Sequence, residues 1–170
     1  GNITALAVEG DFDDCQRMVK SAFVDSDLRS KVRLTSANSI NIARWIPQLV
    51  FYAMAWKEIK HNDIASKLCI PSGNYGNISA AFLMHIMGMH FNKVIAAHNA
   101  NATIPRFLET GNYAPGQTIA TLANAMDVSD PGNFVRLQYL RQHQYRGLIT
   151  TFDAVPVSDS QIVDAIQDAW

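Results

Sequence analysis

Between Pro71 and Ile78 the chain reads Ser72-Gly73-Asn74-Tyr75-Gly76-Asn77. This glycine-rich turn follows a short apolar strand, 67–71, and opens an apolar helix, 78–87, that Gly88 is expected to end. At such a junction successive backbone N–H groups point outward at the positive end of the helix dipole. A phosphate dianion can accept several of them at once. Glycines at 73 and 76 are expected to permit positive φ and to clear side chains from the approach. Asn74 and Asn77 tolerate left-handed backbone and carry further donors, and Ser72 adds a hydroxyl. No lysine follows the turn, so it is not the Walker nucleotide loop, and its spacing is not GxGxxG. The alternative is a tight βα turn that binds nothing.

A second cluster, Ser36-Ala37-Asn38-Ser39-Ile40-Asn41-Ile42-Ala43-Arg44, also follows an expected strand and opens an expected helix. Asn38 or Ser39 as a helix N-cap accounts for one polar residue. Amides, a hydroxyl and the Arg44 guanidinium together suit a second anion.

The remaining signals are weaker. The histidines, His61, His85, His90, His98 and His143, show no metal-ligand spacing. His85 reads as a packed histidine. His98 stands at a strand end, where α/β folds often place site residues. Met84, Met87 and Met89 read as core, Cys69 as a buried inert thiol, and Lys57, Lys60 and Lys67 as a solvated face. Arg106 and Asp127 are structural or substrate-facing; their types do not say which.

The elements that must position these groups alternate. A strand is expected at 3–8, and a helix capped by Asp11 or Asp13 is expected to run to about Phe23. A second strand follows at 32–35. The longest helix is expected at 38–60, with Ile42, Trp45, Ile46, Leu49, Val50, Ala53 and Met54 on its apolar side; Pro47 kinks it or marks its first turn. A strand at 91–97 completes a strand–turn–helix–strand unit of βαβ length. Helices at 105–110, at 133–143 and, from a Ser158/Gln161 capping box, at 157–170 complete the pattern. The fold class is α/β, a mostly parallel sheet flanked by helices, its strands apolar nearly all round as in a sheet covered on both faces.

Of 170 residues 48% are hydrophobic, enough for one ordinary core. Fourteen basic against fifteen acidic residues, net charge −1, give no excess for nucleic acid or an anionic membrane. Two separated cysteines fit a reducing cytoplasm better than a disulfide framework. No apolar run approaches the roughly 20 residues that span a bilayer, and no leader peptide is visible. The chain begins without Met and ends at Trp170 inside an expected helix, which suggests a piece of a longer protein.

At the two polar clusters the chain resembles the threonine synthase family. Gly10-Asp11-Phe12-Asp13 looks like that family's Gly-Asp-Phe-Asp segment. Asn99-Ala100-Asn101-Ala102-Thr103-Ile104-Pro105-Arg106-Phe107-Leu108 is similar to its Asn-x-Asn-Asp-Thr-Val-Pro-Arg-Phe-Leu, with Ala102 where Asp is usual. Ala120-Thr121-Leu122-Ala123-Asn124-Ala125-Met126-Asp127-Val128-Ser129 is similar to its Ala-Thr-Leu-Ser-Asn-Ala-Met-Asp-Val-Ser. The resemblance implies a pyridoxal-phosphate enzyme of the tryptophan-synthase-like fold. Such an enzyme converts O-phospho-L-homoserine and water to L-threonine and phosphate, with the cofactor as electron sink. It further implies that Ser72, Gly73, Asn74, Tyr75, Gly76 and Asn77 hold the cofactor phosphate, with Tyr75 where Phe is common. Asn38, Ser39 and Arg44 are implied to contact the substrate's phosphate. The family's Schiff-base lysine lies in a Phe-Lys-Asp context upstream of this stretch, so these residues alone are expected to be inactive. Residues 1–170 then form one α/β fragment, about 1–36 in a smaller lobe and 37–170 in the larger cofactor-binding lobe. Readings that compete are a related pyridoxal-phosphate dehydratase and a non-catalytic module that binds a phosphate ligand.

Overall fold

The computed structural model describes residues 2–59, 66–89, 91–143 and 152–170. Lys60, His61 and His90 lie outside them. The chain divides into two compact units, Gly1–Thr35 and Ser36–Trp170.

The first unit holds α1 (Phe12–Val24) and α2 (Ser26–Lys31). Asp11 is the N-cap of α1. Its carboxylate accepts from the Asp14 amide at 2.9 Å, and the Asp14 carboxylate accepts from the Asp11 amide at 3.0 Å, a reciprocal capping box. That backbone bond, helped by Arg17, holds the Asp14 carboxyl below its usual range. The strands expected at 3–8 and 32–35 do not form. Ile3 and Leu6 are 87% and 82% exposed, so alternation there has no sheet to bury its apolar face against.

The second unit carries a parallel sheet in the order β1 (Lys67–Pro71), β2 (Lys93–His98), β3 (Phe152–Pro156). β3 was not expected. Its apolar content is short, and only pairing with β2 reveals it. Helix α4 (Gly76–Ile86) connects β1 to β2 as the crossover of a βαβ unit. It ends as expected: Gly88 takes φ +97°, and the Met89 amide reaches back to the Met84 carbonyl. Ile78, Ala80, Ala81, Phe82 and Met84 of α4 pack into a core with Ile70, Phe91, Val94, Ala96, Ile104 and Phe134. β1 departs from the two-faced burial expected of it. Lys67, Cys69 and Pro71 face outward, so Cys69 is exposed rather than buried. Met87 is likewise exposed.

The long helix begins later than the spacing suggested. A 3-10 turn, Ile42–Arg44, leads into α3 (Trp45–Ile59), and Pro47 occupies the first turn, where its missing N–H costs nothing. The cap is Asn41, whose side chain accepts from the Ala43 amide at 3.1 Å, and not Asn38 or Ser39. The face expected to be buried is largely open. Trp45 is buried as expected, but otherwise Tyr52, Trp56 and Ile59 turn inward, because the aromatic and bulky residues that match α4 lie about 100° round from the aliphatic stripe. Helices α5 (Thr103–Thr110), α6 (Phe134–Gln142) and α7 (Asp159–Asp168) stand close to their expected places, α7 behind the Ser158/Gln161 box.

Candidate functional site

The strands run in parallel, so Pro71, His98 and Pro156 end at the same edge of the sheet. Segments leaving a parallel sheet at its carboxyl edge are where such folds assemble sites.

The 72–77 turn stands at that edge. Among the described residues the amides of Gly73, Tyr75, Gly76 and Asn77 make no hydrogen bond within the protein. The side chains, by contrast, are spent on bracing. Ser72 donates its amide to the Ala97 carbonyl at 2.8 Å and its hydroxyl to the Ile70 carbonyl at 2.7 Å, so its hydroxyl proton is not offered outward. Asn77 donates to the Pro71 carbonyl and accepts from the Ile78 amide, both at 2.8 Å. The donors available to an anion are therefore main-chain ones at the positive end of α4.

The left-handed residue of the turn is Tyr75, at φ +64°; neither Gly73 nor Gly76 takes positive φ. These glycines serve close approach, but of protein to protein. A Cβ on Gly73 would lie 3.0 Å from Met126 Cα, and one on Gly76 3.0 Å from Ser39 Cβ. Tyr75 is held by its ring, which is 1% exposed and meets Phe134 and Phe152 edge-on. Its hydroxyl lies 2.7 Å from His98 Nε2. Burial lowers the His98 pKa to about 4, partly opposed by the Asn101 backbone, so the imidazole is neutral and shares one hydrogen bond with the phenol. Burial likewise keeps the phenol protonated. His98 is thus a buried brace beneath the turn.

The second cluster lies against the first. Asn74 donates to Ser39 Oγ at 2.8 Å and accepts from the Gly132 amide at 2.7 Å. Asn133 donates to Ser39 Oγ at 3.0 Å and to the Asn74 carbonyl at 2.9 Å. Ser39 gives its own hydroxyl proton to Asn38 Oδ1 at 3.0 Å. Both lone pairs and the proton of Ser39 are occupied, which makes it the joint between loop and turn. Asn38 and Arg44 are exposed, and the Arg44 side chain has no hydrogen-bond or ionic partner among the described residues. Arg136 donates to the Ser39 carbonyl at 3.1 Å, the Ile40 carbonyl at 2.6 Å and Asn133 Oδ1 at 2.7 Å.

A polar knot fixes the segment over Gly73. Asp127 accepts from Thr121 Oγ1 at 2.7 Å, Asn99 Nδ2 at 2.8 Å and the Thr121 amide at 3.1 Å. Asn101 bonds both main-chain groups of Ile119, at 2.8 Å each. Asp127 is thereby structural, and Arg106 is an exposed residue of α5. Sequence reasoning missed Asn133 and Arg136. Pro131-Gly132 announces a helix start, but nothing in the spacing says that its cap reaches Ser39, 94 residues away.

No family model matches the chain. Curated relatives do. It is 42% identical over 171 residues to the threonine synthase of Haemophilus influenzae, covering 98% of this chain and 39% of that protein. It is 44% identical over 144 residues to that of Escherichia coli, covering 82% of this chain and 33% of that protein. Among solved structures, Escherichia coli threonine synthase superposes with a TM-score of 0.86 at 40% identity, over 94% of this chain and 37% of that one. A pyridoxal-phosphate-bound threonine synthase from Brucella melitensis gives 0.75 at 31% identity, over 92% of this chain and 39% of that one. The chain thus spans about 39% of the length of the Haemophilus relative it matches.

Proposed function

We infer that this chain, which is similar in sequence and in fold to one stretch of threonine synthase, is the phosphate-holding part of such an enzyme. The intact protein is a pyridoxal-phosphate lyase of threonine biosynthesis, taking O-phospho-L-homoserine and water to L-threonine and phosphate. The observation that carries this is the set of unbonded amides at Gly73, Tyr75, Gly76 and Asn77, at the opening of an eleven-residue helix. They fit a phosphate dianion and leave the bracing to side chains.

Those amides would take the cofactor's phosphate. Ser72, Asn74 and the Asn77 side chain hold the turn in shape, and the phenol of Tyr75 keeps its hydrogen bond with neutral His98 beneath it. Bound there, pyridoxal phosphate would supply the electron sink that lets protons leave the α and β carbons and phosphate leave the γ carbon before water adds at the β carbon. Asn38 and Arg44 orient the phosphate end of the substrate, and Ser39 fixes their distance from the turn. The Schiff-base lysine belongs to another part of the intact protein. The division of the chain after Thr35 supports placing about the first 36 residues in the smaller lobe and 37–170 in the cofactor-binding lobe. Both cysteines are free and no helix among the described residues is long and apolar enough to cross a membrane; a cytoplasmic enzyme accords with both.

The intact protein, loaded with pyridoxal phosphate, should release inorganic phosphate and threonine from O-phosphohomoserine. Ammonia released from threonine or serine instead would make it a dehydratase, and neither product would leave a binding module. Gly73→Val should lower cofactor occupancy, read from its absorbance, because the side chain drives the 126 backbone and the turn apart. Unchanged occupancy would remove the turn from the cofactor site.

A further inference from the structure

Arg136 sits in α6, 96 and 97 residues along the chain from the carbonyls of Ile40 and Ser39 that it binds. It is half-buried, and its guanidinium carbon lies 5.1 Å from the centre of the Trp45 ring. It makes no ion pair with a carboxylate among the described residues. Its charge is met by main-chain oxygens, one side-chain amide and the face of Trp45. Through Asn133 the same contacts reach Ser39 Oγ and the Asn74 carbonyl. One fork-shaped cation therefore grips the 39–40 backbone, the start of α6 and, through one intermediary, the turn.

We propose that Arg136 is a positioning residue that holds loop 36–44 in register with the 72–77 turn, so that Asn38 and Arg44 meet a substrate phosphate at a fixed distance from the cofactor's. The proposal rests on the function argued above. The planar guanidinium is suited to this task because it can donate along separate directions at once. A lysine keeps the charge but lacks that fixed fork.

The test uses Arg136→Lys and Arg136→Met in the intact, cofactor-loaded protein. Both should raise KM for O-phosphohomoserine by about tenfold or more, the scale of one charge-assisted hydrogen bond. kcat should stay within about threefold and the cofactor absorbance should be unchanged, the pattern of a lost ground-state contact. Hydrogen exchange of residues 36–44 should quicken in both variants. Millimolar inorganic phosphate should slow that exchange in the parent protein and not in the variants. A lowered Tm with parental KM and parental loop exchange would overturn the proposal, leaving Arg136 a stabilising residue. So would an Arg136→Lys variant that matches the parent while Arg136→Met does not, since charge alone would then suffice. Should Arg136→Met fail to fold, Arg136→Lys decides. Should the parent release no phosphate from O-phosphohomoserine, the enzyme reading fails. The exchange experiment with inorganic phosphate then still decides the role of Arg136.

Discussion

At φ +64° Tyr75 occupies backbone space that costs a side-chain-bearing residue on the order of 1 kcal/mol or more. The ring explains why it persists: buried among Phe134 and Phe152 and bonded to His98, it over-determines the conformation. The glycines beside it leave room for Met126 and Ser39. Tyr75→Phe keeps the ring and loses the bond, so it should cost about 1 kcal/mol in urea denaturation. The neutral His98 gives a pH dependence whose sign is fixed. Its folded pKa of about 4 lies below the ordinary 6.5, so the unfolded chain binds the proton more tightly. The associated stability is fully present above pH 6.5 and is lost as pH falls toward 4, about 3 kcal/mol in all. Urea midpoints at pH 7 and pH 4.5 should differ accordingly, and His98→Gln should flatten that difference. An equal slope in the variant would mean that His98 binds its proton equally well in the folded and unfolded chains.

At the scale of elements, the segment from 117 to 128 has little regular structure, one 3-10 turn at Asn124–Met126. It is ordered by side chains that replace a ladder. Asp127 gathers Thr121 and Asn99, and Asn101 pairs with Ile119 as a neighbouring strand would. Such knots stand or fall as units, because each partner left alone is a desolvated polar group. Asp127→Ala should therefore cost about 2–3 kcal/mol, with a matching drop in cofactor affinity as Met126 leaves its place over Gly73. A loss of stability without any change in affinity would separate this knot from the site.

Across the second unit, the open face of α3 is the unusual surface. Ile46, Val50, Phe51 and Met54 are 63%, 53%, 69% and 62% exposed. An apolar patch of this kind on a free chain binds hydrophobic dyes and promotes association. The 170-residue chain should bind a naphthalene-sulfonate dye. Ile46→Glu with Met54→Glu should abolish most of that signal while moving stability by no more than about 0.5 kcal/mol each, as expected of surface changes. Undiminished dye binding would place the apolar exposure elsewhere.

The βαβ unit, its glycine-rich turn and the caps of α1 and α7 were legible in the sequence, because each depends on neighbours within a few residues. Periodicity marks the helices, and Gly88 and the Ser158/Gln161 box mark their ends. The resemblance to threonine synthase was legible for the same reason, as runs of consecutive residues. The tertiary structure alone decided that strand-like alternation at 3–8 finds no sheet, that β3 exists, and that α3 turns Tyr52 and Trp56 inward. It alone showed that Ser39, Asn74, Asn133 and Arg136 form one joint. Burial and long-range hydrogen bonds belong to pairs of segments, and a single sequence carries no record of which distant segment will arrive.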